Sequence, residues 1–187
     1  MRDIVDFDLE TRHSAAEVGG WHNTADMRVS VGVTYSTASG KYTIYSEEMV
    51  DDLILQLRQA DLVVGYNHEH FDYGVLQRYT MWNMIDITNN LDLCKDIEQR
   101  GGVRVKLDSV AAASIGSSKT AVGTQALKWW AEYVQTGNTD LLMDIARYCC
   151  FDVKVTRDVH WYGAEHGFIR YDDKKGGQVE LPVDWKL

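Results

Sequence analysis

The chain has 187 residues, of which 45% are hydrophobic, and it carries a formal net charge of −9. This length and composition predict a single globular domain over residues 1–187 with a buried core. The acidic balance argues against broad electrostatic binding of nucleic acid, which usually shows as a basic patch. It still allows an enzyme whose metal ions supply the local positive charge.

The N-terminal third of the chain predicts strands followed by a helix. Short apolar or alternating runs are typical of strands, and such runs occur at Ile4–Leu9, Arg28–Tyr35 and Tyr42–Tyr45. The polar stretch Arg12–Asp26 between the first two runs predicts a loop. Ser46 is a suitable N-cap for a helix that continues to Ala60 with apolar residues at helical spacing.

The middle of the chain alternates strands with helices. Leu62–Tyr66 and Ile85–Thr88 are short apolar runs that predict strands, and Asp72–Trp82 between them predicts a helix. From Asp92 onward the pattern is mostly helical, with a loop at Gly116–Gly123. The later predicted helices are Leu107–Ile115, Thr124–Val134 and Leu141–His160.

The C-terminal segment predicts a hairpin. Phe168–Tyr171 and Gln178–Leu181 flank a charged, glycine-rich stretch at Asp172–Gly177. Strands first, then alternation with helices, then a helical end, indicate an α/β fold with a mixed sheet.

The cysteines and the hydropathy pattern indicate the compartment. Cys94, Cys149 and Cys150 have no disulfide-framework spacing and no CxxC pair, which favours reduced thiols, a cytoplasmic protein and no structural zinc site. The N-terminus lacks an apolar signal core, and no run of 18 apolar residues occurs, so we expect no contact with a membrane.

The first motif with chemical potential lies on the first predicted strand. Side chains alternate between the faces of a strand, so Asp8 and Glu10 point the same way. Asp6 lies on the same face and is either a further acid of the site or a polar strand edge. Two adjacent carboxylates repel each other unless a cation lies between them. The alternative is an ordinary solvated strand end.

The second motif, Asn67–Asp72, directly follows the apolar run Leu62–Tyr66. The carboxyl ends of strands are where α/β sheets usually place ligands, which makes Asp72 a candidate. The alternative for Asp72 is a helix N-cap. His68 and His70 do not match the H-E-x-x-H zinc pattern, and we expect both on the surface.

The third motif lies on the longest predicted helix. Tyr148 and Asp152 are four residues apart, which places them one turn apart on one helix face. That face is otherwise apolar, and an acid there is costly unless it is paired or bound to a metal. The alternative is a helix turned so that Asp152 meets solvent or a basic side chain such as Arg157.

Together these three motifs, in this order, resemble the DEDD superfamily of 3′–5′ exonucleases, in the subgroup with tyrosine in its third motif. The similarity spans about Ile4 to Val159. The histidine subgroup carries its histidine at the position of Arg147 here, so the tyrosine subgroup is the match. Leu107–Val110, Lys119 and Trp129–Trp130 resemble the branch found beside helicases.

The resemblance implies a ribonuclease H-like fold, a mixed five-stranded sheet flanked by helices. It also implies two divalent cations, Mg²⁺ or Mn²⁺, which suit oxygen ligands. Asp8 would bridge both ions, Glu10 and Asp152 would complete one coordination sphere, and Asp72 would act on the other ion, largely through water. Tyr148 would hold the attacking water.

The same resemblance implies a substrate and its contacts. Leu9 and Thr11 would touch the terminal nucleotide of a single-stranded DNA or RNA 3′ end, Phe71 would pack near it, and Asn67 would bond close to the scissile end. The alternatives are a core phenylalanine, a strand-end threonine and a turn-forming asparagine. Arg12–Asp26 offers few basic groups to grip a backbone, so delivery by a partner such as a helicase fits the acidic chain.

Two other functions remain open from the sequence. The first is a non-catalytic ribonuclease H-like module that binds nucleic acid or protein, although such modules normally lose at least one of the site residues. The second keeps the metal site but changes the substrate, as in a nucleotide phosphatase or a strand-transfer enzyme.

Overall fold

The computed structural model describes residues 2–117, 124–173 and 176–187. The strands are β1 (Ile4–Thr11), β2 (Val29–Ser36), β3 (Lys41–Tyr45), β4 (Leu62–Gly65), β5 (Asn90–Asp92), β6 (Phe168–Asp172) and β7 (Gln178–Pro182). The helices are α1 (Val50–Gln59), α2 (Asp72–Leu76), α3 (Met84–Ile87), α4 (Leu93–Gly101), α5 (Leu107–Ile115), α6 (Gln125–Thr136) and α7 (Asp140–His166). Short 3₁₀ helices cover Trp21–Met27 and Glu47–Met49.

Five strands of the described chain form one mixed sheet in the order β3-β2-β1-β4-β5. The central strand β1 runs antiparallel to β2 and parallel to β4, and β4 runs parallel to β5. The remaining strands, β6 and β7, pair as an antiparallel hairpin. This confirms the α/β, ribonuclease H-like prediction of a mixed five-stranded sheet flanked by helices with a C-terminal hairpin.

The alternation of side chains along β1 separates an apolar face from an acidic face. Val5, Phe7 and Leu9 pack in a core cluster with residues of α1 and α2. The other face carries the carboxylates of β1 and is covered by α7, which contacts both β1 and β2. The long helix therefore lies directly over the acidic positions of the central strand.

The predicted strand Ile85–Thr88 is wrong. Residues Met84–Ile87 form the short helix α3, and the strand follows at Asn90–Asp92. The side chain of Asn83 accepts a hydrogen bond from the amide of Ile85 at 3.2 Å. This N-cap favours a helical turn over an extended run.

Three other predicted elements differ in extent or in detail. The helix predicted over Asp72–Trp82 ends at Leu76. The loop predicted over Arg12–Asp26 contains the 3₁₀ helix Trp21–Met27. Ser46 makes no side-chain cap bond, because its hydroxyl donates to Glu48 Oε2 at 2.7 Å instead.

Several predicted features lie wholly or partly outside the described residues. They are the loop Gly116–Gly123 beyond residue 117, Lys119, and part of the hairpin tip at 174–175. Within the described ranges, no helix is both long enough and apolar enough to cross a membrane. Cys94, Cys149 and Cys150 are free thiols.

Candidate active site

Three carboxylates meet where α7 crosses β1. Among the described residues, Asp8, Glu10 and Asp152 each offer an oxygen, and these oxygens lie within 4.8 Å of one another. All three side chains are partly buried. Carboxylates at this separation repel each other unless a cation lies between them, and an all-oxygen donor set suits a hard divalent ion. The geometry therefore fits a metal such as Mg²⁺ or Mn²⁺.

A buried cysteine lies against one of these three acidic residues. Cys149, fully buried on α7, has its Sγ 3.4 Å from the backbone oxygen of Asp8 and 3.7 Å from Asp8 Oδ2. Burial, and then the charges of the three carboxylates, raise the pKa of the Cys149 thiol well above its ordinary value. The thiol therefore stays protonated and acts as a donor. Sequence reasoning missed this role, although Cys149 is three residues before Asp152.

Asp6, the third acid on this face of β1, lies outside the group. It is fully buried, and neither of its carboxylate oxygens has a hydrogen-bond partner within the described ranges. Burial raises the pKa of Asp6 well above its ordinary value, and the charge of Arg157 opposes that shift. Asp6 is therefore a buried carboxyl beneath α7 rather than a fourth member of the group.

Asp72 lies beside the group but is not part of it. Its side chain is 3% exposed, and its Oδ1 accepts a hydrogen bond from the backbone amide of Leu9 at 3.2 Å. Burial raises the pKa of Asp72 to about 7, while the hydrogen bond from Leu9 lowers it. The helix N-cap is Phe71, so Asp72 does not serve as the cap of α2.

The loop that presents Asp72 is organised by Asp92. Asp92 Oδ1 accepts hydrogen bonds from the amides of Asn67 at 2.8 Å and Lys95 at 3.2 Å. Its Oδ2 accepts from the amide of Glu69 at 3.1 Å. Sequence reasoning missed Asp92, although an Asp directly before a helical segment is a recognisable N-cap signal. One side chain thus fixes both the start of α4 and the loop after β4.

His68 was predicted on the surface, and that prediction is wrong because the ring is fully buried. Its Nε2 lies 3.3 Å from Asn90 Oδ1, and burial lowers the pKa of His68. A Cβ at Gly65 would lie 2.7 Å from the ring, so only glycine allows the histidine to pack there. His70 is exposed, as expected.

Tyr148 lies on α7 one turn before Asp152. Its side chain is 6% exposed, and its ring meets Trp129 of α6 edge to face, with centroids 6.3 Å apart. This contact packs the ring of Tyr148 against α6. The helix thereby carries the phenol and the carboxylate of the third motif on the same side.

A cavity of about 420 Å³ opens beside Glu10 and holds three of the four predicted substrate contacts. Leu9, Thr11 and Phe71 line it together with Glu10. The hydroxyl of Thr11 donates to the backbone oxygen of His13 at 3.1 Å, as a strand-end threonine would. The cavity places a half-open, mostly apolar space next to Glu10.

Asn67, the fourth predicted contact, faces a different cavity. It lines a space of about 500 Å³ together with Tyr66 and Arg104. Its backbone φ is 66°, and its Oδ1 accepts a hydrogen bond from Arg104 Nη2 at 2.5 Å. Asn67 is therefore a turn residue engaged with Arg104, and it does not join Leu9, Thr11 and Phe71.

Comparisons with known proteins agree with this architecture. The family model of the RNase H superfamily matches residues 7–162. The family B DNA polymerase from the hyperthermophilic archaeon Pyrobaculum calidifontis is structurally similar, with a TM-score of 0.63 and 15% sequence identity. The similarity covers 89% of this chain and 24% of the polymerase chain. A search of curated protein sequences gave no significant match.

Proposed function

This chain belongs to the RNase H superfamily, and from that premise we propose that it is a metal-dependent 3′–5′ exonuclease acting on single-stranded nucleic acid. Membership of the superfamily supports a hydrolase that acts on nucleic acid. The proposal of a metal-dependent nuclease rests on one observation. Carboxylate oxygens of Asp8, Glu10 and Asp152 lie within 4.8 Å of one another.

In the proposed site, Asp8, Glu10 and Asp152 would hold two divalent cations, Mg²⁺ or Mn²⁺, and Asp72, which lies outside this group, would act on one ion largely through water. When bound, such ions activate a water molecule and stabilise both the entering and the leaving oxygen of a phosphodiester. The protonated Cys149 thiol lies against Asp8, within reach of its backbone oxygen and of its carboxylate.

Tyr148 is the proposed positioning group for the attacking water. It shares the α7 face with Asp152, and Trp129 limits the freedom of its ring. A phenolic hydroxyl can both donate and accept a hydrogen bond, which suits it to orient water toward phosphorus. Orientation of this kind lowers the barrier by placing the oxygen of the water in line with the phosphorus.

The cavity beside Glu10 is the proposed site of the 3′-terminal nucleotide. Leu9, Thr11 and Phe71 line it and would contact the sugar and the base. The volume of about 420 Å³ suits one nucleotide, which favours removal of terminal residues. Asn67 is not part of this set, since it faces the other cavity.

A partner that supplies single strands fits the charge of the protein. A net charge of −9 weakens long-range attraction to phosphates, so an acidic nuclease benefits from delivery of its substrate. The similarity covers 24% of the polymerase chain, so in that protein the similar region is part of a longer nucleic-acid enzyme. We therefore propose that a helicase or another nucleic-acid enzyme presents the 3′ end.

Product analysis on a 5′-labelled single strand with Mn²⁺ tests the proposed function. The expected result is a ladder of products that shorten from the 3′ end, absent with Asp8→Asn. A single internal cut would indicate an endonuclease or strand-transfer enzyme, and release of phosphate from mononucleotides alone would indicate a phosphatase. An intact strand that still binds the protein would indicate a binding module and contradict the proposal.

A further inference from the structure

The segment between β1 and β2 forms one wall of the cavity beside Glu10, and its ends are firmly tied. The amide of Arg12 donates to the backbone oxygens of Met27 at 3.2 Å and Arg28 at 2.9 Å. The amide of His13 also donates to the Met27 oxygen, at 3.0 Å, and Met27 is 1% exposed. The segment is therefore a closed, anchored loop and not a loose connection.

A glycine conformation and hydrogen bonds within this loop position Trp21 at the cavity. Gly20 has φ of 132°, a conformation that side chains other than glycine rarely adopt. Its amide donates to the Ala15 oxygen at 2.7 Å, and the Asn23 side chain donates to the Val18 oxygen at 2.7 Å. These bonds hold the start of the 3₁₀ helix, and with it Trp21, in a defined place.

Trp21 lines the cavity yet is 70% exposed. Its ring meets Phe71 edge to face, with centroids 6.1 Å apart and an angle of 62° between the planes. An indole held in place by one aromatic contact, with most of its surface open, is suited to bind a planar ligand. The position next to Glu10 places that ligand beside the carboxylates.

The chemistry of the wall favours a base over a phosphate. Ala15, Ala16, Trp21 and Met27 supply apolar surface. Among the described residues that line the cavity, none is a lysine or arginine, and the polar ones are Glu10, Thr11, His13, Ser14 and Thr124. Phosphate contacts usually come from basic side chains, whereas aromatic rings stack on bases of any sequence.

We propose that Trp21 stacks on the base of the 3′-terminal nucleotide and that the loop of residues 12–27 is a base-binding wall. This inference rests on the proposed function, because it takes the cavity beside the carboxylates as the site of the chain end. The volume of about 420 Å³ lies within the range of pockets that enclose one small ligand. Stacking, rather than charge, then retains the strand on an acidic protein.

Calorimetric titration of the full chain in Mn²⁺ with adenosine 5′-monophosphate and with ribose 5-phosphate tests the proposal. The wild type is expected to bind the nucleotide about tenfold to a hundredfold more tightly than the sugar phosphate. Trp21→Ala should lose most of this preference, and Trp21→Phe should keep most of it. Trp82→Ala is the matched control, since Trp82 is 57% exposed and does not line the cavity.

The outcomes separate this inference from the nuclease proposal. If Trp21→Ala keeps the wild-type preference for the nucleotide, or if the wild type has no preference, base stacking is overturned whatever the hydrolysis assay shows. If the preference depends on Trp21 but the wild type cleaves no labelled strand in Mn²⁺, the nuclease proposal fails and the base site stands. An unchanged melting temperature of Trp21→Ala confirms that the variant is folded.

Discussion

The backbone amide of Leu9 donates a hydrogen bond to Asp72 Oδ1 across 3.2 Å, in a buried position. The parallel partner strand β4 ends at Gly65, so it cannot satisfy the amides of the last residues of β1. Asp72 takes over this function at the point where β1 carries Asp8 and Glu10. A candidate metal ligand is thus also a structural support of the strand that carries the other two acids.

The two functions of Asp72 can be separated by substitution. Asp72→Asn keeps an oxygen that accepts from Leu9, so we expect its free energy of unfolding to stay close to that of the wild type. Asp72→Ala leaves a buried amide without its acceptor, and we expect a loss of about 1–3 kcal/mol. Both variants should lose most Mn²⁺-dependent hydrolysis. Chemical denaturation and the labelled-strand assay provide the two measurements, and full activity in Asp72→Asn would remove Asp72 from the site.

Tyr148→Phe is expected to affect the rate much more than binding. The substitution removes only the hydroxyl, and the packing against Trp129 remains. We expect kcat to fall by roughly two orders of magnitude with KM within about threefold, because oriented water matters mainly in the transition state. Tyr133→Phe on α6 is the control. Steady-state kinetics on a single-stranded oligonucleotide check this, and an equal rise in KM would contradict a positioning role.

The buried His160 is expected to make the protein sensitive to acid. Burial, and then the charge of Arg2, lower the pKa of His160 from 6.5 to about 4, and neither ring nitrogen has a hydrogen-bond partner among the described residues. The unfolded chain binds a proton near pH 6.5, but the folded protein does so only near pH 4. Stability is therefore lost as the pH falls from about 6.5 to about 4, by up to about 3 kcal/mol from this group.

Urea denaturation between pH 4 and pH 7 measures this effect. The raised pKa values of Asp6 and Asp72 favour the folded protein in acid, so the effect of His160 is the difference between the wild type and His160→Leu. Relative to the wild type, His160→Leu should gain free energy of unfolding as the pH falls through that range. His166→Gln, at an exposed position near the end of the same helix, should follow the pH dependence of the wild type. The same slope in His160→Leu and the wild type would show that another group causes the acid sensitivity.

The sequence predicted the parts of the fold and site that depend on local periodicity. Alternation along β1 placed Asp8 and Glu10 on one face, and helical spacing placed Tyr148 beside Asp152. The structure brings both faces together because the apolar residues of α7 must cover the sheet. The approach of the β1 acids to the α7 residues depends on tertiary packing. Local patterns do not predict it, so in the sequence it rested only on the resemblance of the motif order to a known family.

The features that sequence reasoning missed depend on contacts between distant segments. His68 is buried because Gly65 lets its ring pack against the strand end. Trp21 lines the cavity because the loop closes through backbone bonds to Met27 and Arg28, which leave no pattern in the residue types. The strand predicted at Ile85–Thr88 failed because the Asn83 cap outweighed the propensity of a short apolar run.

The central claim is that Asp8, Glu10 and Asp152 bind divalent cations, and a thermal titration with Mn²⁺ tests it most directly. A ligand that binds only the folded protein stabilises it by about 2.7 kcal/mol at a concentration of 100 Kd, which raises Tm by several degrees. We expect this rise for the wild type and for Asp51→Asn, a control at an exposed position on α1, and its loss in Asp8→Asn and Asp152→Asn. A wild-type Tm that does not change with millimolar Mn²⁺, or an undiminished rise in Asp152→Asn, would contradict the assignment.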